Sequence, residues 1–508
     1  MTTRNGLLPL MDNSNFYYCF DYALFFPDPA GNGGTVRLYG WANYSDADGW
    51  PAKPESIELL IKNDVFLYPV DFLREYESPG KRLPIESCGF DVIHQVNRPL
   101  ENLNPMIRFR LAGNAHQPTE DLRIIDSRDF LKQSAALQNL DELSRQKINN
   151  LFLNEAERLN HAVELTSKPI FLHIDPAFGC QLDCPHCHGR DARKAGFHLP
   201  NMTTAIFDRI VEYYGDTLIV AFLYNWGEPL LNKHFIAFTR RLKEKRCVVR
   251  TSTNFSLALS DQFIGDLVTS GLDEITFSID GATQETYEKY RKDGNLDLIL
   301  KNIERLVGVK KHHGSRTPFL RWQYLRFPWN QDEIDIARKR AGDLGVDAFS
   351  VHPGGIFNYD YTKEDFALRE NVTAERTEEI HRRYQDLEKE QRARGRYFGC
   401  DHLYRGLTIF SDGSIKPCCK VFLPKDSSGS IEKLLANTLH SNSPLHLSGR
   451  GNLRDLSTFP LSGYEPCINC VFMFPGHVHI GLDFHQFLVL AEQGHGVMNE
   501  LRAMNPGV

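Results

Sequence analysis

The sequence has no long apolar run, since no stretch approaches the ~18 consecutive apolar residues that span a bilayer. Its first residues also lack the charged segment and apolar core that mark a signal peptide. Dense runs of lysine and arginine are missing too, which argues against nucleic-acid binding. We therefore expect a soluble, cytoplasmic protein that acts on neither membranes nor nucleic acids.

The overall composition is that of a globular protein, because hydrophobic residues make up 42% and charged residues 24% of the chain. The net charge of −7 is too small to indicate an acidic tail. At roughly 100–200 residues per domain, a chain of 508 residues is expected to form two to four domains.

The 11 cysteines are an odd number, which argues against a disulfide framework in a large chain of this kind. Three of them stand alone, at Cys19, Cys88 and Cys247. The others form two groups, at Cys180, Cys184 and Cys187 and at Cys400, Cys418, Cys419, Cys467 and Cys470. Clustered cysteines in a reducing compartment indicate metal binding.

Residues 1–120 are predicted to form a β-sandwich-like accessory domain. Short alternating apolar runs such as SIELLI are separated there by turn formers such as Asp48-Gly49. The region contains no catalytic constellation. Residues 121–168 are polar, with apolar spacings near three and four, so we expect a helical linker.

Residues 169–395 alternate apolar, strand-like runs with amphipathic helical stretches. This order predicts an α/β fold, a partial (β/α)6 TIM-like barrel with its site at the carboxyl ends of parallel strands. Residues 396–508 are loop-rich, bear cysteines and are expected to form a separate C-terminal domain with a tail. The predicted strands are 170–174, 218–223, 247–253, 274–279, 319–325 and 348–352.

The segment HIDPAFGCQLDCPHCHGR places a C-x3-C-x2-C pattern directly after the first predicted barrel strand. Cysteine thiolates are the usual ligands of iron–sulfur clusters. Three cysteines on one loop can hold three irons of a [4Fe–4S] cube and leave the fourth iron open for chemistry. A zinc site is the alternative, with His186 or His188 as its fourth ligand.

This triad resembles the C-x3-C-x-φ-C signature of the radical S-adenosylmethionine (SAM) superfamily, with His186 in the position that is usually aromatic. The resemblance implies that SAM binds the open iron of a [4Fe–4S] cluster. One electron then cleaves SAM to methionine and a 5′-deoxyadenosyl radical, which abstracts a hydrogen from the substrate. It also implies a reducing partner such as flavodoxin or ferredoxin.

Further motifs follow in the order that the family shows, each near a predicted strand end. NWGEP (225–229) resembles the family's GGE motif, TSTNF (251–255) its TNG motif, and SIDG (278–281) its ribose-binding segment. Taken alone, each of these residues could be an ordinary loop, cap or surface residue. The resemblance assigns SAM contacts to His186, Asn225, Gly227, Glu228, Asn254, Ser278, Asp280 and Arg291.

The C-terminal cysteines form a C-x12-G-x4-C…C-x2-C arrangement, in which LTIFSDGSIKPC is predicted to be a β-hairpin. The arrangement resembles the auxiliary-cluster region of SPASM and twitch radical SAM proteins. It implies one auxiliary [4Fe–4S] cluster, with a zinc site as the alternative, and leaves Cys419 as a spare. The implied ligands are Cys400, Cys418, Cys467 and Cys470.

Several reactions fit these features. The first is oxidation of an alcohol or similar C–H carbon in a sugar-like or natural-product small molecule, with the auxiliary cluster accepting an electron. The second is radical epimerisation, with Cys419 or Cys247 as hydrogen donor. Peptide maturation and a non-enzymatic electron carrier are the remaining hypotheses. Asn225, Tyr324 and His352 are candidates to face the substrate.

Overall fold

Two β-rich regions, an N-terminal pair of sheets and a helix-covered parallel sheet, make up most of the computed structural model. A set of helices joins them. The structure describes residues 16–28, 33–45, 51–62, 64–70, 89–111, 120–185, 187–194, 196–353, 382, 386, 389–390, 393, 400–416, 419, 429–430, 484–492 and 497.

The N-terminal region is a sandwich of two sheets, in which every strand pair but one is antiparallel among the described residues. One has the order β3-β2-β1-β9 with β6 paired to β2, and the other has the order β5-β4-β7-β8. Apolar side chains from both sheets, such as Phe25, Leu38, Leu59 and Phe109, form one core between them. The strands are β1 Phe16–Pro27, β2 Gly34–Ser45, β3 Pro51–Ala52, β4 Ser56–Ile61, β5 Asp64–Pro69, β6 Gly89–Val96, β7 Pro105–Arg110, β8 Glu120–Asp121 and β9 Ile125–Asp126.

Helices follow in the predicted linker, and capping side chains fix where they begin. Asp126, Ser134 and Asp141 each accept a hydrogen bond from a backbone N–H of the first turn. The first helix of the linker directly follows β9, and β9 pairs with β1 of the sandwich. The helices are α1 Ser127–Gln133, α2 Ala135–Gln138 and α3 Glu142–Leu159.

All six predicted barrel runs form parallel strands, paired in sequence order from β10 to β15. The prediction of an α/β fold with a parallel sheet is confirmed. The strands are β10 Phe171–Ile174, β11 Val220–Phe222, β12 Val248–Thr253, β13 Glu274–Ser278, β14 Phe319–Arg326 and β15 Ala348–Pro353. The helices are α4 His188–Lys194, α5 Thr204–Tyr214, α6 Phe235–Glu244, α7 Asp261–Thr269, α8 Gln284–Tyr290, α9 Leu296–His313 and α10 Ile334–Leu344.

The parallel sheet has two chemically different faces. Val249, Ile275 and Leu320, from three neighbouring strands, are fully buried in a core shared with the outer helices. Because side chains alternate along a strand, the residues beside them point to the opposite face, which we call the inner face. On those three strands the inner-face residues are Val248, Arg250, Ser252, Glu274, Thr276, Ser278, Phe319, Arg321, Gln323 and Leu325.

The sheet continues past the predicted boundary at residue 395. After helix α11 (Asp401–Arg405), strand β16 (Gly406–Ile409) pairs in parallel with β10. β17 (Ser414–Lys416) and β18 (Gly429–Ser430) then add antiparallel pairs. A Cβ at Gly406 would overlap the Phe171 ring, so the close pairing requires glycine there. The C-terminal segment thus extends the barrel sheet itself.

A buried ion cluster on α3 joins the N-terminal sandwich to the parallel sheet. The Glu155 carboxylate accepts from Arg37 of β2 at 2.5 Å, from Arg158 at 2.7 Å and from Arg405 of α11 at 2.6 Å. Burial raises the pKa of Glu155, but the three arginines outweigh it and hold that pKa well below its ordinary value. We call these residues the Glu155 cluster; they fix three segments of the chain together.

Aromatic packing reinforces the same junction. Phe484 of the last described helix, α12 (Phe484–Glu492), packs edge-on against Tyr22, Phe26 and Phe152 at ring-centroid distances of 5.2–5.7 Å. Within the described ranges, no helix combines the length and the apolar character needed to cross a bilayer.

Candidate active site at the carboxyl ends of the strands

The cysteine triad lies on the loop between β10 and α4. None of its thiols forms a disulfide, and the Cys187 N–H donates to the Cys184 carbonyl at 3.3 Å. The pKa of Cys180 is raised to about 12, first by burial and then by Glu228 and the other two thiols nearby. In the described part of the chain, no three Cys, His, Asp or Glu side chains converge as closely as around a bound metal. His186 lies outside the described residues.

The residues around this loop nevertheless suit a cluster with one open position. Three unoxidised thiols come from a single loop, and thiolates are the ligands that iron–sulfur clusters use. Cys180 also faces an open pocket of about 280 Å³. The other residues that line the pocket are Gln181, Leu182, Asp183, Arg190, Arg193 and Lys194.

The backbone of Glu228 is hydrogen-bonded to the triad loop, and its side chain is almost fully buried. Its backbone N–H donates to the Gly179 carbonyl at 2.8 Å, one residue before Cys180. A Cβ at Gly227 would overlap the Ala177 carbonyl oxygen, so this close approach needs glycine. The NWGEP loop that follows β11 therefore seats its carboxylate beside the cysteines.

The carboxylate of Glu228 is held by three donors. Oε1 accepts from Thr253 Oγ1 at 2.7 Å and from the Leu230 N–H at 3.1 Å, and Oε2 accepts from the Asn254 N–H at 2.9 Å. Burial raises the pKa of Glu228 to about 7 in spite of these bonds. A buried carboxylate without a full countercharge is ready to accept hydrogen bonds from a cationic ligand.

Asn254, at the end of β12, bridges the strand to the triad loop. Its Nδ2 lies 3.7 Å from Cys180 Sγ, and its Oδ1 accepts from Gln181 Nε2 at 2.8 Å. The next residue, Phe255, has a φ of +54°, the left-handed conformation that favours glycine. In this chain a phenylalanine adopts that conformation, and its ring is buried against Phe277.

Arg291 forms a buried ion pair at the end of β13. Its Nε donates to Asp280 Oδ2 at 2.6 Å, while Asp280 Oδ1 accepts from the Leu325 N–H at 2.7 Å. A backbone bond from Asp183 to Lys292 brings the triad loop to the same place. Burial raises the pKa of Cys184, and the charge of Arg291 partly offsets that rise. Arg291 thus lies between Asp280 and the triad.

Comparison with known proteins identifies the region. Residues 174–320, which include the triad, Glu228, Asn254, Ser278, Asp280 and Arg291, match the family model described as the radical SAM superfamily. Over these residues the chain is similar to the radical SAM superfamily. Radical SAM proteins use a [4Fe–4S] cluster together with SAM, as the sequence motifs indicated.

Individual relatives match only a part of this chain. The GTP 3′,8-cyclase of Desulforamulus reducens is 22% identical over 142 residues, which are 28% of this chain and 44% of the relative. The AdoMet-dependent heme synthase of Methanosarcina barkeri is 26% identical over 145 residues, 28% of this chain and 41% of the relative. The chain therefore spans less than half the length of these relatives.

Among solved structures, Streptococcus suis SuiB bound to S-adenosylmethionine superposes on 69% of this chain and 87% of its own, with a TM-score of 0.45 and 16% identity. BtrN in complex with AdoMet and 2-DOIA superposes on 57% of this chain and 88% of its own, with a TM-score of 0.32 and 14% identity.

Two expected positions are corrected by the structure. Cys247 directly precedes β12 at the amino end of the sheet, opposite the site, and its thiol lies 3.3 Å from the Leu218 carbonyl. It therefore cannot reach a radical formed at the carboxyl ends. Tyr324 packs into the helix-covered core and donates to the Asn330 carbonyl at 2.8 Å, so it does not face the substrate. Side chains alternate between the two faces along β14, and this places Tyr324 on the helix-covered face.

Cys419 does lie near the site. Trp226 of the NWGEP loop donates its Nε1–H to the Cys419 carbonyl at 2.7 Å. The pKa of Tyr224 is raised to about 12, first by burial and then by the Cys419 thiol. The backbone of the C-terminal segment is thus bonded to the loop that positions Glu228.

The remaining site predictions are only partly described by the structure. Ser278 Oγ lies 3.4 Å from Ser252 Oγ on the inner face, and the Asn225 amide nitrogen is buried without a partner among the described residues. Cys400 directly precedes α11, and the predicted hairpin is present as β16 and β17, with Gly413 at a φ of +81°. Cys418, Cys467 and Cys470 lie outside the described residues.

Sequence reasoning missed Asp175, which directly follows β10. It is fully buried near the backbone N–H groups of Trp226 and Gly227, and burial raises its pKa to about 8. A charged residue directly after an apolar strand was the available signal. Sequence reasoning also missed the charged residues of the inner face, which appear at alternate positions of otherwise apolar strands.

Proposed function

We propose that this protein cleaves SAM reductively and uses the resulting radical to oxidise an alcohol or similar C–H carbon of a small, polar substrate. The observation that carries the proposal is the seating of Glu228 and Asn254 against Cys180 through backbone and side-chain bonds. The activity of the whole chain is proposed because each of these relatives matches only 28% of it.

The triad would hold a [4Fe–4S] cluster, which supplies the electron that cleaves SAM. Glu228 would accept hydrogen bonds from the methionine ammonium, since its oxygens are fixed next to Cys180 by Thr253 and Asn254. Arg291, fixed by Asp280, would stand beside the SAM carboxylate. Ser278, on the inner face at the end of β13, would contact the ribose.

Oxidation requires the substrate radical to lose a proton to a base and an electron to an acceptor, which leaves a carbonyl. An auxiliary cluster on Cys400, Cys418, Cys467 and Cys470 would take this electron. The pairing of β16 with β10 supports a short route, because the C-terminal segment is built into the barrel sheet. A flavodoxin or ferredoxin is the proposed reductant of the first cluster.

Epimerisation is the second candidate, and the position of Cys419 favours it. The thiol lies close to Tyr224, and its backbone is bonded to Trp226. A hydrogen atom from Cys419 would quench the substrate radical on its other face. Modification of a peptide substrate is a further hypothesis. A carrier of electrons would have no use for a buried Glu228.

The test is SAM cleavage by anaerobically reconstituted protein reduced with dithionite. Wild-type protein should release 5′-deoxyadenosine and contain about eight irons per chain. The Cys180/Cys184/Cys187→Ala variant should release none and lose about four irons. Cys247→Ala is the matched control and should keep both, because that thiol is at the other end of the sheet.

Four outcomes separate the hypotheses. Iron-loaded protein that cleaves no SAM would support the electron carrier, and protein that holds zinc without iron would overturn the proposal. A product that lacks one H2 equivalent indicates oxidation. A product of unchanged mass in ordinary water that gains one deuterium in deuterated water indicates epimerisation, and Cys419→Ala should then abolish that gain.

A further inference from the structure

The inner face of the parallel sheet carries three charged residues side by side. Arg250 on β12, Glu274 on β13 and Arg321 on β14 are neighbours across the sheet, because Arg250 is in register with Glu274 and Arg321 with Thr276. We call these three the inner-face row. They lie on the face opposite the helix-covered core, the side on which the barrel strands of such folds enclose their interior.

The inner-face row has more positive than negative charge. Arg321 Nε lies 2.9 Å from Glu274 Oε1, and Arg250 Nε lies 3.5 Å from Glu274 Oε2. One carboxylate thus faces two guanidinium groups, which leaves one positive charge unbalanced. Each arginine contacts Glu274 through Nε, so within the described chain the terminal nitrogens of both forks remain for another acceptor.

The row can be reached by a ligand. The side chains of Arg250, Glu274 and Arg321 are 28%, 15% and 37% exposed. Partial exposure together with an excess of positive charge is what an anion-binding wall provides.

Neighbouring groups place the row in the same space as the candidate active site. The pKa of Tyr224 responds, after burial, to Cys419, to Glu274 and to Arg250, so these groups lie within electrostatic range of one another. Ser252, two residues beyond Arg250, is at about 7 Å along the strand and contacts Ser278 at the site. His352, on β15, lies near enough to Arg321 for the guanidinium to contribute to lowering its pKa, after burial.

We propose that the inner-face row binds an anionic group, carboxylate or phosphate, of the molecule on which this enzyme acts. Arginine forks bind both groups through paired N–H bonds, and a second arginine doubles the available donors. The inference rests on the proposed function for calling this ligand the substrate. It narrows the substrate class from a polar small molecule to an anionic one, held by the wall that leads to Ser278 and Tyr224.

The first experiment uses the wild-type full chain without SAM or reductant. Phenylglyoxal modifies accessible arginines, and peptide mapping reports each site separately. Inorganic phosphate or acetate should slow modification of Arg250 and Arg321 but leave Arg240, on the outer surface of α6, unchanged. Potassium chloride at the same ionic strength is the control for screening. Equal slowing by chloride would overturn the proposal.

The second experiment titrates phosphate and acetate by calorimetry into variants that change the charge of the row. Arg321→Gln should weaken binding by about tenfold or more, because one cation and its fork are lost. Glu274→Gln should tighten binding several-fold, because it removes the competing carboxylate. Arg321→Lys should be intermediate, since it keeps the charge without the fork. Arg240→Gln is the surface control and should bind as wild type does.

The outcomes are separable from those of the proposed function. Stronger binding of phosphate than of acetate assigns a phosphorylated substrate, and the reverse assigns a carboxylate. Loss of binding in Glu274→Gln as well as in Arg321→Gln would show that the row is a structural ladder and overturn the proposal. Anion binding by wild-type protein that cleaves no SAM would overturn the proposed function and leave the anion site in place.

Discussion

Two buried acidic regions of this protein use the same residue type in opposite ways. In the Glu155 cluster, three arginines surround a fully buried carboxylate, and the pKa of Glu155 lies well below its ordinary value. At Glu228, neutral donors surround a carboxylate of similar burial, and its pKa rises to about 7. Paired charge holds segments of the chain together, whereas a carboxylate left without a countercharge remains available to a ligand.

The largest effect is expected from disrupting the Glu155 cluster. Glu155→Gln leaves the buried guanidinium groups of Arg158 and Arg405 without their carboxylate, while Arg37 keeps Asp91, so we expect the free energy of unfolding to fall by about 3–5 kcal/mol. Urea denaturation measures this. Glu142→Gln, on the same helix, is the control, because its side chain is 71% exposed and its pair with Arg145 contributes little. Equal stabilities of the two variants would contradict the role of the cluster.

The next effect is on the pH dependence of stability, which should differ in sign between Glu228 and Glu155. The raised pKa of Glu228 means that the folded apoprotein keeps a proton that the unfolded chain releases between about 4.5 and 7, so this group lowers stability as pH rises. The shift corresponds to about 3 kcal/mol, which Glu228→Gln should recover at pH 7 and above.

Glu155 has the opposite sign. Its lowered pKa stabilises the folded protein above the ordinary glutamate value, and that contribution is lost as pH falls. Urea denaturation at several pH values should therefore show that, at high pH, Glu228→Gln is more stable than wild type. Glu155→Gln should be less stable than wild type at the same high pH. Parallel pH curves for the two variants would contradict the comparison.

The smallest effect is expected from removing one hydrogen bond to Glu228. Thr253→Val removes the hydroxyl that donates to Oε1 at 2.7 Å, which we expect to cost about 1 kcal/mol. Because that bond favours the ionised carboxylate, the pKa of Glu228 should rise further. Thr251 lies on the same strand as Thr253, and Thr251→Val loses a bond to the Leu223 carbonyl. It should cost a similar amount without changing how stability depends on pH. Indistinguishable pH curves would show that Thr253 has no special role.

Much of the core could be predicted because its signals are local. Apolar runs bounded by turn formers predicted all six barrel strands, and the triad with its following motifs predicted which residues gather at their carboxyl ends. The Asp412-Gly413 turn likewise predicted the hairpin of β16 and β17. These features depend on neighbouring residues, whose spacing is fixed by helix and strand geometry.

Other features could not be predicted because they depend on contacts between distant segments. The sequence suggested Cys247 and Tyr324 as site residues, but strand direction and alternation place them away from the site. It also placed β16 in a separate domain, whereas pairing with β10 makes it part of the barrel sheet.

By itself, the sequence indicated the resemblance of residues 174–320 to the radical SAM superfamily, the order of strands and helices, and the residues that meet the triad. Only the tertiary structure decided that Glu155 joins the sandwich to the sheet, and that Arg250 and Arg321 share one carboxylate on the inner face. The physical reason is range: backbone periodicity acts over a few residues, whereas the balance of buried charge depends on groups far apart in the chain.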